Sequence, residues 1–308
     1  MQQQAFNPMQ DAQILNDALV KTKDKKKIIQ IVTHRSNEQR QLIFQAYNTQ
    51  YQQNIFDVFR TNLSGNFKDA VMALFYTPVD YDCYQIHKAV EGFGTNEDTL
   101  IEVIATKSNE SLIALRQRFQ QLFNQDLIQV IKSETSGHLQ KILISLLQAD
   151  RSINKIPNEQ ECIESAKRLF DSQKEKKEFL YNAFIYVFTQ KSREELAAIC
   201  RIYYQQNSKT LLEVVENYFS GDGRRVLKAI IYSLLSPSEY FAYRINKAIK
   251  GFMVNDTILI RVLVSRDEID IERIKRYYKQ LYGITLYEAV KDKISGEYRN
   301  LLLSLIGN

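Results

Sequence analysis

Gly92-Phe93-Gly94-Thr95-Asn96-Glu97-Asp98-Thr99-Leu100-Ile101-Glu102-Val103-Ile104-Ala105-Thr106-Lys107-Ser108 decides the fold, because three other parts of the chain repeat its pattern. Its opening has the marks of a loop entering a helix: two glycines without the Cβ restriction, then Thr95 with Asp98 three residues later as a capping box. Behind the loop, Leu100, Ile101 and Ile104 share one helix face. With Lys107 aligned on Arg35, Lys191 and Arg266, the same register holds Ile28, Ile29 and Val32, then Phe184, Ile185 and Phe188, then Leu259, Ile260 and Leu263.

The repetition continues beyond this stretch. A second helix carries Leu115 and Phe119, matched by Ile43 and Tyr47, Ile199 and Tyr203, and Ile274 and Tyr278. A third carries Leu127 and Ile131, matched by Ile55 and Phe59, Leu211 and Val215, and Leu286 and Val290. Then a Ser-Gly recurs at Ser64-Gly65, Ser136-Gly137, Ser220-Gly221 and Ser295-Gly296, where glycine suits a turn between helices. With the helix that precedes each loop, every unit holds about five short helices. Strand-like alternation is absent, so an all-α fold is expected. The period of 72 to 84 residues exceeds the roughly 34 to 47 of short helical repeats, and each unit is large enough to be a small domain with its own core. The expected layout is an N-terminal tail over 1–10, repeats over 11–77, 78–152, 159–237 and 238–308, and a linker over 153–158. That linker would divide the chain into two halves of two consecutive repeats.

Composition narrows the class. The 308 residues are 44% hydrophobic, with a formal charge of +5, which permits anionic partners without demanding them. The start, Met1-Gln2-Gln3-Gln4-Ala5-Phe6-Asn7-Pro8, lacks the charged and apolar regions of a signal peptide, and no apolar run approaches the roughly 18 residues of a spanning helix. Cys83, Cys162 and Cys200 are odd in number and far apart, which argues against a disulfide frame or a zinc site and for a reducing, cytoplasmic setting. No nucleophile elbow, P-loop, HExxH or Rossmann glycine pattern appears, so no enzyme activity is expected. Tyr47, Tyr203 and Tyr278 lie in apolar register and are expected in the core, not as stacking platforms for nucleic acid.

A loop that turns on two glycines can aim several carbonyls at one point, and carbonyls plus one carboxylate suit a hard cation such as Ca²⁺. Glu134 is available to supply that carboxylate; a plain interhelical turn is the alternative.

The phrase GFGTNEDTLIEVIATKSNESL (92–112), followed by SETSG (133–137), resembles the second repeat of an annexin. SRDEIDIERIKRYYKQLYGITL (265–286) resembles the fourth, and the glutamine-rich and tyrosine-rich divergence elsewhere is similar to the alpha-giardin branch. The resemblance implies a slightly curved disc of four five-helix repeats whose convex face binds Ca²⁺ and, through it, an acidic phospholipid surface. It implies that the carbonyls of Val90, Gly92 and Gly94 with bidentate Glu134 form the main metal site, completed by water or a lipid phosphoryl oxygen. With one carboxylate the bare affinity should be weak, roughly 10⁻⁴ to 10⁻³ M, so ion and lipid should bind cooperatively.

The other units depart from that pattern. Unit one has Val20 and Thr22 for the glycines and Asn62 for the acid. Unit three has Lys174-Glu175-Lys176-Lys177-Glu178 and Tyr218, while unit four keeps Gly251 but has Met253 and Lys293. Lysines crowd these loops, and direct lipid contact is expected of Lys21, Lys23, Lys25, Lys26, Lys27, Lys176, Lys177, Lys250 and Lys293, with a solvated charge run as the alternative. Asp69 and Asp222 are candidates for minor sites beside the Ser-Gly turns. His138 lies near enough to Glu134 to tune its loop with pH. Asp82, Glu102, Lys107 and Arg266 match positions where the family lines a central polar passage, although paired charges explain them as well. Glu91 stands where relatives usually carry lysine, and Val90 where they usually carry methionine. The expected function is Ca²⁺-dependent binding to acidic membranes; the alternative is a scaffold for a cytoskeletal protein in which Ca²⁺ dependence is vestigial.

Overall fold

The computed structural model describes residues 6–307; the first half of the expected tail, 1–5, and residue 308 lie outside the described residues. Twenty α-helices account for most of the chain, and no strand occurs among the described residues. The first repeat comprises α1 (Pro8–Asn16), α2 (Lys25–Thr33), α3 (Asn37–Tyr51), α4 (Ile55–Asn62) and α5 (Gly65–Phe75). The second comprises α6 (Pro78–Val90), α7 (Glu97–Ala105), α8 (Asn109–Phe123), α9 (Leu127–Glu134) and α10 (Gly137–Gln148). The third runs through α11 (Glu159–Asp171), α12 (Lys177–Gln190), α13 (Arg193–Asn207), α14 (Leu211–Tyr218) and α15 (Gly221–Leu235). The fourth runs through α16 (Pro237–Ile249), α17 (Asp256–Arg266), α18 (Ile271–Tyr282), α19 (Leu286–Lys293) and α20 (Gly296–Ile306). Residues 8–10 of the expected tail form the first turn of α1.

The apolar registers form the core. Every residue of the three repeated sets is buried except Ile185, which is partly exposed. Each fully buried Leu, Ile or Phe contributes about 1.5 to 3 kcal/mol relative to exposure, so this pattern dominates stability. The tyrosines at one shared position are core residues whose hydroxyls must find partners. Tyr47 donates to Asn16 Oδ1 at 2.8 Å and Tyr278 to Asn246 Oδ1 at 3.1 Å, while Tyr203 accepts from Gln173 Nε2 at 2.6 Å. The second repeat has Phe119 instead, which asks for no partner, and His87 stacks on the neighbouring Phe123 with centroids 4.0 Å apart.

Caps set where the helices begin. Ser36, Ser108 and Ser192 sit at one repeat position and accept from the backbone N–H three residues on, in α3, α8 and α13. Asp267 holds that position in the fourth repeat but stays helical, and α18 begins only at Ile271.

The chain forms two compact units, one of residues 82–240 and the other of residues up to 81 together with 241 onward. Repeats two and three therefore pack together, and repeats one and four do so, which corrects the expected division into consecutive halves. In one unit α10 packs on α12 and α15; in the other α20 packs on α2 and α5. The expected linker lies inside a unit and is anchored at its start. Arg151 Nη1 donates to Lys191 O at 2.7 Å and Nη2 to Phe188 O at 2.6 Å, while Asn109 Nδ2 donates to Arg151 O at 2.7 Å. Cys83, Cys162 and Cys200 are free thiols, and burial pushes Cys200 up to about 12.

Candidate calcium site

The loop of the second repeat leaves α6 at Val90 and enters α7 at Glu97. Two backbone bonds close its ends, Glu91 N to His87 O at 2.9 Å and Asn96 N to Ala89 O at 2.8 Å. Between them Gly92 and Gly94 have φ of +97° and +91°, values that L side chains rarely adopt. Among the described residues, no hydrogen bond ends on the carbonyl oxygens of Val90, Gly92 or Gly94.

Thr95 does not cap α7. Asn96 is the N-cap, its Oδ1 accepting from Thr99 N at 3.0 Å, and Asp98 pairs with Arg225 at 2.6 Å. The Thr95 hydroxyl is thereby free to reach the end of α9, with Oγ1 lying 3.0 Å from Glu134 O and 3.3 Å from Glu134 Oε2. The single hydroxyl proton is shared between the Glu134 carbonyl, the nearer acceptor, and the Glu134 carboxylate, so one threonine ties the end of α9 to the glycine loop with the carboxylate beside it. Glu134 is the last residue of α9 and exposed, at the negative end of its helix dipole. A carboxylate there is disfavoured by its own helix and is relieved by a cation. The chemistry of the donor set fits Ca²⁺: three uncommitted carbonyls and one carboxylate, all hard oxygens. No group of three His, Cys, Asp or Glu side chains suited to a metal occurs among the described residues, so an ion here would rest largely on backbone oxygen.

The corresponding loops differ physically. In the first repeat a π-helical turn over Asp17–Lys21 replaces the glycines, and Lys23 Nζ donates to Asn62 Oδ1, with Asn62 at the position of Glu134. Lys21 pairs with Asp17 at 2.7 Å. In the third, a 3₁₀ turn over Ser172–Lys174 fills the loop, and Tyr218 stands at the acid's position. The fourth retains the closing bond, Asn255 N to Ala248 O at 2.8 Å, and the asparagine cap, Asn255 accepting from Ile258 N. Its Gly251 has no positive φ, and its acid is replaced by the exposed Lys293.

The remaining expected residues fall as follows. Lys21, Lys23, Lys25, Lys26, Lys27, Lys176, Lys177, Lys250 and Lys293 are all exposed. Asp222 is bound by Arg225, and Asp69 lies 3.6 Å from Lys68 Nζ. Among the described residues no hydrogen bond or ion pair joins His138 to Glu134; its ring stacks on Tyr181 and Nε2 lies 3.2 Å from Glu178, as α10 packs on α12. Asp82 pairs with Lys107, and Glu102 is buried in the same unit. Arg266, in the other unit, pairs with Asp270 at 2.7 Å and covers the Phe241 ring.

The annexin family model matches four segments of the chain, residues 10–74, 81–146, 165–230 and 240–305. The chain belongs to the annexin family. Human annexin A7 is 34% identical over 303 residues, covering 98% of this chain and 62% of that protein's length. Among solved structures, a mutant of annexin A8 with an intact N-terminus superposes with a TM-score of 0.95 at 29% identity, covering 100% of this chain and 97% of that one. A calcium-bound annexin (Sm)1 gives a TM-score of 0.87 at 28% identity, covering 98% and 91%. Calcium-bound alpha-14 giardin shares the fold at 20% identity and a TM-score of 0.87, covering 98% and 100%. As a family, annexins bind calcium and membrane phospholipid. No described helix of this annexin is long and apolar enough to cross a membrane.

Two features of this annexin escaped sequence reasoning. The Thr95–Glu134 link was hidden because Thr95-x-x-Asp98 has the form of a cap. The full exposure of Phe93 and Phe252, at 111% and 105%, was signalled by their shared repeat position, which motif reading passed over.

Proposed function

We propose that this annexin binds acidic phospholipid membranes in a calcium-dependent manner through one site in its second repeat. The carbonyls of Val90, Gly92 and Gly94 and the carboxylate of Glu134 would hold the ion. The observation that carries this reading is the Thr95 bridge, which keeps the Glu134 carboxylate against a loop whose carbonyls accept no other hydrogen bond among the described residues. A bound Ca²⁺ supplies open positions for lipid phosphoryl oxygens. The protein's part is to hold its oxygens in place and leave one side of the loop exposed. The single carboxylate makes bare affinity weak and membrane binding steeply dependent on calcium.

Sedimentation with phosphatidylserine vesicles tests the reading. Glu134→Gln is expected to abolish calcium-dependent sedimentation while leaving the circular dichroism spectrum unchanged. Retention of wild-type binding by this variant would overturn it.

A further inference from the structure

The unit built from repeats one and four carries a feature that the calcium site does not use. At the loop between α16 and α17, Phe252 and Met253 are adjacent and exposed to 105% and 80%. Single exposed apolar residues are ordinary, but a neighbouring pair at the tip of a closed loop is not. The tip is fixed on both sides, by Lys250 N to Asn246 O and by Asn255 N to Ala248 O, both at 2.8 Å. A Cβ at Gly251 would come within 3.2 Å of the Met253 carbonyl, so the turn is tight.

Beside this tip, with Val254 in its wall, lies a cleft of about 420 Å³. Lys25 and Lys293 line it, and so do Asp256 and Glu297. The first turns of α5 and α20 open into it, each an eleven-residue helix whose Ser N-cap makes no side-chain cap bond. Their first backbone N–H groups and dipoles favour an anion. Tyr298 also lines the cleft; it is 9% exposed, and its hydroxyl, although near the Asp256 carboxylate, makes no hydrogen bond of good geometry. Burial and the Asp256 charge push that hydroxyl well above its ordinary value, so it remains a donor.

We propose that this cleft binds, without calcium, one phospholipid headgroup carrying both a phosphate and a primary ammonium, while Phe252 and Met253 insert into the bilayer beside it. Lys25, Lys293 and the two helix starts suit the phosphate, and Asp256 and Glu297 suit the ammonium. A headgroup with phosphate alone would leave those carboxylates facing another anion. The apolar tip selects a lipid in a bilayer over a free phosphate, which has nothing to place against Phe252. This inference extends the membrane-binding reading but not its metal site, so each can fail alone.

The chain contains no tryptophan, so Phe252→Trp makes a single fluorescent reporter. In EGTA, vesicles of phosphatidylcholine with phosphatidylserine or phosphatidylethanolamine are expected to shift its emission to the blue, with quenching by brominated acyl chains. Vesicles of phosphatidylcholine with phosphatidylglycerol are expected to act at least about fivefold more weakly. With the phosphatidylserine vesicles, Lys25→Gln with Lys293→Gln should weaken the shift about thirtyfold in vesicle concentration, at about fivefold per lysine near an anionic surface. Glu134→Gln should leave it unchanged. No blue shift in EGTA, equal response to phosphatidylglycerol, or loss of the signal by inorganic phosphate at low millimolar concentration would overturn the proposal.

Discussion

At the scale of single residues, the site turns on which of two neighbours caps α7. Thr95 and Asn96 are both good cap residues, and each is followed at the right spacing by a side chain or N–H that completes a cap. Asn96 takes the role, and the Thr95 hydroxyl goes to Glu134 instead. Thr95→Val keeps the shape and removes that hydroxyl. Losing an orienting partner of a metal ligand typically costs 10–100-fold, so the calcium concentration for half-maximal vesicle binding is expected to rise about tenfold, with Thr95→Ser near wild type. An unchanged midpoint for Thr95→Val would show that the bridge does not orient Glu134. The glycine loop and its acid were legible in the sequence as residues; the bridge between them was not, because the cap pattern does not say which of two adjacent residues it belongs to. The same limit hid Lys23 bonding to Asn62, since a lysine run looks like a solvated face until one member finds a partner.

At the scale of elements, caps and anchors explain where the repeats differ. Asp267 occupies the cap position used by Ser36, Ser108 and Ser192, yet its carboxyl is partly buried near Arg40 and Glu268, and burial raises it to about 6. In the unfolded chain it titrates near its ordinary value of 3.8. Between those values the folded form holds a proton that the unfolded form has lost, so its contribution to stability falls as pH rises from about 4 to about 6 and stays low above. Asp267→Asn is expected to remove this loss and raise stability near neutral pH by at most about 2 kcal/mol after solvent screening, read as a urea midpoint that falls less from about pH 4.5 to about pH 7.5. Arg40 keeps Glu268 as its partner at 3.0 Å in that variant. Arg151 makes the opposite case. Burial lowers it to about 10, and its guanidinium holds two carbonyls at the end of α12. Arg151→Ala strands both, and a cost of about 2 to 4 kcal/mol is expected in thermal unfolding. A change under about 0.5 kcal/mol would show that water replaces it freely.

At the scale of the molecule, the five-helix repeat was legible because apolar spacing carries it: the registers at Leu100, Leu115 and Leu127 and their copies are core almost without exception. The partnering of repeats was not. Proximity in sequence suggested consecutive halves, but pairing depends on helix faces such as those of α10 and α15 that meet across many residues, and no local spacing records such a match. The consequence for function is that the calcium loop lies in one unit, while the Lys23 and Lys293 loops lie in the other. Only the second repeat joins a two-glycine loop to an acid, so calcium with phosphatidylserine vesicles is expected to slow hydrogen exchange across 89–97 and 131–136 more than across 18–25 and 172–178. The most direct measurement is equilibrium calcium binding in the presence of phosphatidylserine vesicles, for the wild-type chain and for Glu134→Gln. The account predicts one ion per chain for the wild type and none for the variant; two or more ions, or an unchanged count in Glu134→Gln, would contradict it.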